Sequence, residues 1–334
     1  MQPISATTAS DPPGILSVGS VNADFQARVD RPAGEVETQA ARCLARQGGG
    51  KAANVAVLAR RLGHPAWLLG AVGDDDLAEQ ALRPVREAGV DVAGVRRIPG
   101  CGTAVSMIAV PPGGKKSIVL AGEANLRLDA QDARAFAACI GRADPRSVLV
   151  ADYEAAPGPC SRAIEAARDR GLRVALDPSF PDAVDRAVLP AVEALLPNEE
   201  EALALAGAGG AGPGALAGAA RALRAMGPRM VVLKLGDGGC LLALPDGTLQ
   251  AFHPLAGLPD PVDATGAGDA FTGAFAVAML ENAAPADAAR FAIACTELAV
   301  QAFGSQPAYP HRAAADAQLR RGPRGPRPAA GADA

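Results

Sequence analysis

The sequence predicts an α/β protein of three layers, α/β/α, on a mostly parallel central sheet, with a small second β-sheet acting as a lid. Short apolar runs such as ILSV, SVLVAD, LRVALD and RMVVLK alternate with stretches whose apolar residues recur at helical spacing. That alternation favours parallel strands covered by helices on both faces. Two segments, 22–47 and 98–122, interrupt it with strand-like pieces and supply the second sheet.

Taken in order, ILSVGSVNAD is a strand ending in a turn, and GGGKAANVAVLARRLG is a glycine turn feeding a helix that stops at Gly63. PAWLLGAVGDD reads as strand and turn, and DLAEQALRPVREAGV as a helix ending at Gly89. GTAVSMIAVPPGGKKSIVLAG alternates as a hairpin that turns at Pro111–Gly114. Strand and helix then resume through SVLVADY, APGPCSRAIEAARDRG and LRVALDPS; VLPAVEALLPNEEEALALAG reads as helix, strand and helix. GALAGAARALRAMG is a helix, RMVVLKLGDGG a strand and turn, and GCLLALPDGTLQAF a hairpin. Two long apolar helices, DAFTGAFAVAMLENAA and ADAARFAIACTELAVQAFG, complete the pattern. One domain over 15–312 is expected, between a disordered tail at 1–14 and a disordered, basic Pro/Arg/Ala-rich tail at 313–334.

Bulk properties narrow the function. A chain of 334 residues, 49% hydrophobic and 20% charged, can bury a substantial core. Aromatics make up only 3%, so that core must be largely Ala, Val and Leu. A net charge of −4 argues against nucleic-acid or anionic-membrane partners, which need a basic face. Six cysteines without paired spacing fit a reducing cytoplasm, and three isolated histidines offer no zinc site. Neither a signal peptide nor an apolar run of about 20 residues is evident.

Two glycine patterns mislead. Gly207, Gly209 and Gly212 spell G-x-G-x-x-G, but they follow a helix in a low-complexity loop, whereas a dinucleotide fingerprint follows a strand. GGGKAA lacks the first glycine and the metal-binding hydroxyl of a phosphate-binding P-loop. VDATGAGDAF is different. Its small residues let the amides of Gly266, Ala267 and Gly268 face one concavity at a helix N-terminus, where bare N–H groups and the helix dipole favour an anion. Asp269 follows within the first helical turn, placed to accept the proton of an attacking hydroxyl.

GSVNAD, GGGKAANVA, LLPNEEE and VDATGAGDAF, in that order, resemble the ribokinase-like (PfkB) carbohydrate kinases. VADYE and VVLKLGDGG extend the likeness to about residues 15–310. The resemblance implies an ATP-dependent sugar kinase acting on a primary hydroxyl, O5 of D-ribose first among candidates. Asp269 would be the base, and Gly266, Ala267 and Gly268 the anion hole for the transferred phosphate. Asn22, Asp24, Gly50, Lys51, Asn54 and Glu154 would hold the sugar. Asn198, Lys234, Gly236 and Gly239 would meet the nucleotide.

Glu201 would organise Mg2+ on ATP, through water. Asp263 and the carbonyls of Thr265, Ala299, Ala302 and Gly304 would hold an activating monovalent cation, K+. Three positions depart from the family pattern: Lys234 and Ala264 where threonine is usual, and Ala308 in place of a serine that helps hold the cation. A homodimer through the lid is also implied. Fructokinase, 2-keto-3-deoxygluconate kinase and nucleoside kinase activities remain open within the family. A non-catalytic sugar- or nucleotide-binding sensor is the reading outside it.

Overall fold

Each main-sheet strand is apolar on both sides because helices cover both sides. In the strand Val148–Asp152, Val148 and Val150 enter one core while Leu149 and Ala151 enter the other. The computed structural model describes residues 12–210, 212–322 and 326–327. Most of the expected N-terminal tail therefore lies outside the described residues.

The chain opens with β1 (Ile15–Val18), β2 (Asn22–Arg28) and β3 (Cys43–Gly49), then α1 (Lys51–Arg61), β4 (Ala66–Gly73), α2 (Leu77–Glu87) and β5 (Asp91–Ile98). Next come β6 (Ala104–Val110), β7 (Ser117–Ala121), α3 (Ala130–Arg142), β8 (Val148–Asp152), α4 (Pro157–Arg170) and β9 (Arg173–Asp177). β10 (Ala194–Leu195), α5 (Glu199–Ala206), α6 (Pro213–Ala225), β11 (Met230–Lys234), β12 (Cys240–Ala243) and β13 (Leu249–Phe252) follow. α7 (Ala267–Leu280), α8 (Pro285–Ala299), α9 (Arg312–Arg320) and β14 (Pro326–Arg327) end the described chain.

The central sheet has ten strands in the order β14-β13-β12-β11-β10-β9-β8-β1-β4-β5. It is parallel from β11 to β5 and antiparallel from β11 to β14. Helices α1, α2, α7, α8 and α9 pack on one face, and α3, α4, α5 and α6 on the other. The lid is a separate four-stranded sheet, β3-β2-β6-β7, made from the two segments that broke the alternation.

Local chemistry sets the helix ends. Asp129 and Asp132 form a capping box at α3, and Asn198 and Glu201 form another at α5. Gly207 closes α5 and Gly212 opens α6, so the misleading glycines are helix punctuation. Helix α7 is buried almost all round, against α1 and α8, which explains its lack of a polar face.

Three expectations need correction. Residues 91–98 form β5, an edge strand of the main sheet, in a stretch for which the sequence predicts no element and whose last residue it assigns to the second sheet. Residues 186–191 make a short 3-10 turn instead of an α-helix, since Pro190 removes a backbone donor. The tail expected from 313 is helical as far as Arg320, and α9 seats Ala315 and Leu319 on the core of α8. Arg312 anchors its start by pairing with Glu281 and Asp316. Deleting residues 312–334 should lower the unfolding free energy by about 2 kcal/mol or more, roughly one buried leucine. Urea unfolding measures this, and an unchanged midpoint would show that α9 adds nothing to the domain.

Candidate active site

Strands β1, β8, β9 and β11 all end at one edge of the central sheet, and helices α1 and α7 begin there. Ligands of open parallel sheets bind at such an edge. The lid closes over it, leaving a cleft of about 710 Å³. Asn22, Asp24, Gly50, Lys51, Asn54, Glu154, Asn198, Lys234, Gly236, Thr265, Gly266, Gly268 and Asp269 all line this cleft, so most of the expected site is brought together.

At the head of α7, Gly266 has φ 72°, and a Cβ there would lie 2.6 Å from both Tyr309 Oη and Ser305 Cβ. Only glycine fits. Tyr309 Oη donates to the Gly266 carbonyl at 3.1 Å, fixing the turn from behind. Among the described residues no acceptor meets the N–H groups of Gly266 and Gly268, which leaves them to an anion. Ala267 corrects the three-amide expectation. Its N–H donates to the Ala264 carbonyl at 3.2 Å, closing the turn, and the residue does not line the cleft.

Asp269 is 8% exposed and faces the cleft. Asn54, one turn into α1, donates from Nδ2 to Asp269 Oδ2 at 2.7 Å. Gln306 donates in turn to Asn54 Oδ1 at 3.0 Å, which fixes the direction of the Asn54 amide. Lys51 Nζ stands 3.5 Å from Asp269 Oδ1, 3.5 Å from Asp177 Oδ1 and 4.0 Å from Glu154 Oε1.

Gly50 is the reason Lys51 can be there. Its φ is 91°, and a Cβ would lie 2.5 Å from the Ser20 carbonyl. Burial alone pulls the Lys51 pKa down, but Asp177, Asp269, Glu154 and Glu201 outweigh it and hold the ammonium well above the usual lysine range. Lys234 Nζ donates to Asp177 Oδ2 at 2.7 Å and lies 3.7 Å from where a Gly268 Cβ would be, beneath the glycine turn. Burial pushes Asp177 up; Lys234 and Lys51 overcome that and hold it at about 2. Burial pushes Glu154 up to about 8, with Asp152, Asp269 and Asp177 adding to the rise against Lys51.

On the lid side, Asn22 accepts from Asn125 at 2.8 Å and donates to Ser106 at 3.2 Å. Asp24 is buried with Oδ1 unpartnered, as expected of a group awaiting a ligand hydroxyl. Burial raises Asp24 to about 7 against the Ser106 hydrogen bond, and Asp269 adds to the rise.

Other expected residues lie elsewhere. Gly239 sits in the β11–β12 turn, accepts from Leu235 N–H and is walled off by the Phe252 carbonyl, so it shapes the turn and does not line the cleft. Glu201 is behind the lining residues Glu199 and Glu200, with Oε2 accepting from Asn198 N–H at 2.8 Å. Its N-x-x-E spacing is also that of a capping box, and the structure uses it as one. Asp263 is fully buried: Oδ1 accepts from Thr265 N–H at 2.8 Å, and Oδ2 from Gly304 N–H at 2.8 Å and from Gln26 Nε2. Ala299, Ala302 and Gly304 lie off the cleft, around this carboxylate's loop. Sequence reasoning missed Asp177, Asn125, Gln306 and Lys116. Asp177 alone left a signal, as an acid ending a parallel strand at the ligand-binding edge.

Asp24 also sets a pH dependence. Its native carboxyl titrates near 7, against 3.8 for an ordinary aspartate, so the folded state holds the extra proton and stability falls as pH rises between those values. Asp24→Asn should therefore raise stability at pH 8 by roughly 1–3 kcal/mol, with the gain gone by pH 4. Urea unfolding at both pH values checks this; a gain of equal size at pH 4 would rule the titration out as its source.

Residues 13–312 match the pfkB family carbohydrate kinase. The chain is 30% identical over 322 residues to a ribokinase of Arabidopsis thaliana, covering 93% of this chain and 82% of that one. It is 30% identical over 301 residues to an ATP-dependent ribose-1-phosphate kinase of Halopiger xanaduensis, covering 88% and 94%. Among solved structures, Arabidopsis thaliana ribokinase complexed with ribose and ATP matches with a TM-score of 0.79 at 28% identity, covering 93% of this chain and all of that one. The match runs from before β1 to the start of α9, so both sheets and the cleft between them fall within it, and the chain belongs to the pfkB family of carbohydrate kinases.

Proposed function

We propose that this ATP-dependent sugar kinase transfers the γ-phosphate of ATP to the primary hydroxyl, O5, of D-ribose. The observation that carries the reading is the position of Asp269, held by Asn54 and Lys51 between the polar lid-side pocket and the glycine turn of α7. The ribose complex of the Arabidopsis thaliana relative supports the choice of sugar.

In this reading Asn22, Asp24, Asn54 and Glu154 hold the sugar hydroxyls, and Asp269 takes the O5 proton as the oxygen attacks phosphorus. The Gly266 and Gly268 amides, the positive end of α7 and Lys234 stabilise the negative charge on the transferring group. Asn198, Gly236 and the start of α5 face the nucleotide. Closure of the lid excludes water, which would otherwise compete with the sugar.

In this reading Mg2+ arrives on ATP and keeps its waters; among the described residues no group of three His, Cys, Asp or Glu side chains could hold a metal. Glu201 keeps one carboxylate oxygen outside its capping bond and would meet such a water. Bound Mg2+ supplies neutralisation of the phosphates. The carbonyls of Thr265, Ala299, Ala302 and Gly304 accept no hydrogen bond among the described residues, which suits a monovalent cation beside Asp263. With alanine at 308 the shell lacks a hydroxyl, so the expected K+ stimulation is modest.

The lid's outer face supports a homodimer. Phe25, Met107 and Val119 lie across neighbouring strands, with Met107 52% and Val119 63% exposed and Leu44 beside them at 63%. A second copy of the chain is the proposed occupant, and Met107→Asp should convert a dimer to a monomer by light scattering. A wild-type chain that is monomeric at high concentration removes this interface. No helix among the described residues is long and apolar enough to cross a membrane. All six cysteines are free, which supports a cytoplasmic setting.

Coupled ADP release across ribose, ribose 1-phosphate, deoxyribose, fructose, ketodeoxygluconate and nucleosides tests the function, in K+ and in tetramethylammonium. Ribose should give the highest kcat/KM, K+ should raise turnover only a few-fold, and Asp269→Asn should lower kcat by at least about 1,000-fold while sugar still binds. Turnover by Asp269→Asn within tenfold of wild type would falsify the base assignment.

A further inference from the structure

We propose that Lys116, carried on the lid, contacts the transferring phosphoryl group and speeds its transfer, an assignment that rests on the kinase reading above. The hairpin joining β6 to β7 does not end in solvent. Its tip lies on the segment that leads into α7: Ala264 N–H donates to the Gly114 carbonyl at 3.2 Å, and a Cβ on Gly114 would lie 3.1 Å from the Pro261 carbonyl. Lys115 and Lys116, next in the chain, therefore overhang the glycine turn, and both line the cleft.

Lys116 differs from the other lysines at this edge. The charge of Lys51 is committed to Asp177, Asp269 and Glu154, and that of Lys234 to Asp177. Among the described residues no carboxylate lies within ion-pair distance of Lys116 Nζ, although the side chain is partly withdrawn from water. Burial presses its pKa down, and Lys51 and Lys234 add to that, against Asp269 and Asp263. A partly desolvated ammonium without a counter-ion is unfavourable until an anion arrives. Lys115 is exposed at the tip, where solvent screens its charge.

Position gives the ammonium its use. The glycine amides approach the migrating group from α7 and Lys234 from below the turn, while Lys116 approaches from the lid. Charge in phosphoryl transfer spreads over the equatorial oxygens, and a preorganised cation stabilises it most in the transition state. The bond order balances without further participants: the sugar O5–P bond forms, the bond from phosphorus to the ADP oxygen breaks, and the hydroxyl proton goes to Asp269. Lys116 supplies charge and hydrogen bonds, and keeps its own proton.

The test compares steady-state kinetics of the full-length wild type, Lys116→Met and Lys116→Arg, with thermal midpoints as a check on folding. Lys116→Met should lower kcat about 100-fold, the loss typical of removing one charge-stabilising donor, with KM for ribose within threefold. Lys116→Arg should recover most of the loss. A kcat for Lys116→Met within threefold of wild type, or a rise confined to KM for ATP, overturns the assignment. If Lys116→Met melts early, the arginine variant decides: a folded Lys116→Arg that is as inactive as the methionine variant also overturns it. A wild type that releases no ADP with any sugar instead sinks the kinase reading itself.

Discussion

Everything at this sheet edge depends on one ammonium group shared between carboxylates. Lys51 stands between Asp177, Asp269 and Glu154, and Asp152 lies close enough to couple with them. Burial raises Asp152 to about 7 and Glu154 to about 8 even beside this cation, and neighbouring carboxylates add to the rise. Lys51 and Lys234 together keep Asp177 near 2. The network therefore sorts neighbouring carboxylates into charged and proton-holding members. Removing one partner from a buried pair typically costs about 3–5 kcal/mol, because it strands the other charge. The fold makes this arrangement possible by setting the N-terminus of α1 against the carboxyl ends of β8 and β9.

The lid is tied down at both ends of the cleft that holds this network. At the sugar end, Asn22 on β2 bonds Asn125 and Ser106, so two connections of the lid converge on one side chain. At the phosphate end, Gln26, two residues along the same strand face, reaches Asp263 and Thr265, while Gly114 receives the Ala264 amide. A sheet that touched only the sugar pocket could close without arranging the glycine turn. Here the same strand meets both ends of the cleft, so in the kinase reading sugar capture and phosphate positioning share one closed geometry.

The sequence reveals the fold through periodicity, since strands buried on both faces and helices with one apolar stripe leave distinct marks. It hides β5 because Asp91, Arg96 and Arg97 give an edge strand the composition of a loop. It misplaces the end of the domain because α9 is short, alanine-rich and polar on its outer face, so only packing of Ala315 marks it as structural. In the site, residues that act through the backbone or at a helix start are readable: φ angles demand Gly50 and Gly266, and the dipole of α7 suits Asp269 in its first turn. Long-range partners are not readable. Gln306 meets Asn54 across 252 positions, and Asn125 meets Asn22 across 103, with no local pattern that demands either. Asn198 and Glu201 show the opposite hazard, one spacing serving both a metal-site motif and a capping box.

The hydrogen-bond chain behind Asp269 narrows the proposed chemistry to an atom. Gln306 donates to Asn54 Oδ1, so the other end of that amide must present N–H groups, and one of them lies 2.7 Å from Asp269 Oδ2. A carboxylate oxygen that already accepts a short hydrogen bond is a weaker proton acceptor than one with only a long contact. Oδ1 accepts instead from the Lys51 ammonium at 3.5 Å, longer than a well-formed charged hydrogen bond. In the kinase reading the proton of the attacking hydroxyl therefore goes to Oδ1. Asn54, expected from the sequence only as a sugar ligand, then has a second duty: it holds the carboxylate so that its less tightly bonded oxygen is left for the acceptor hydroxyl.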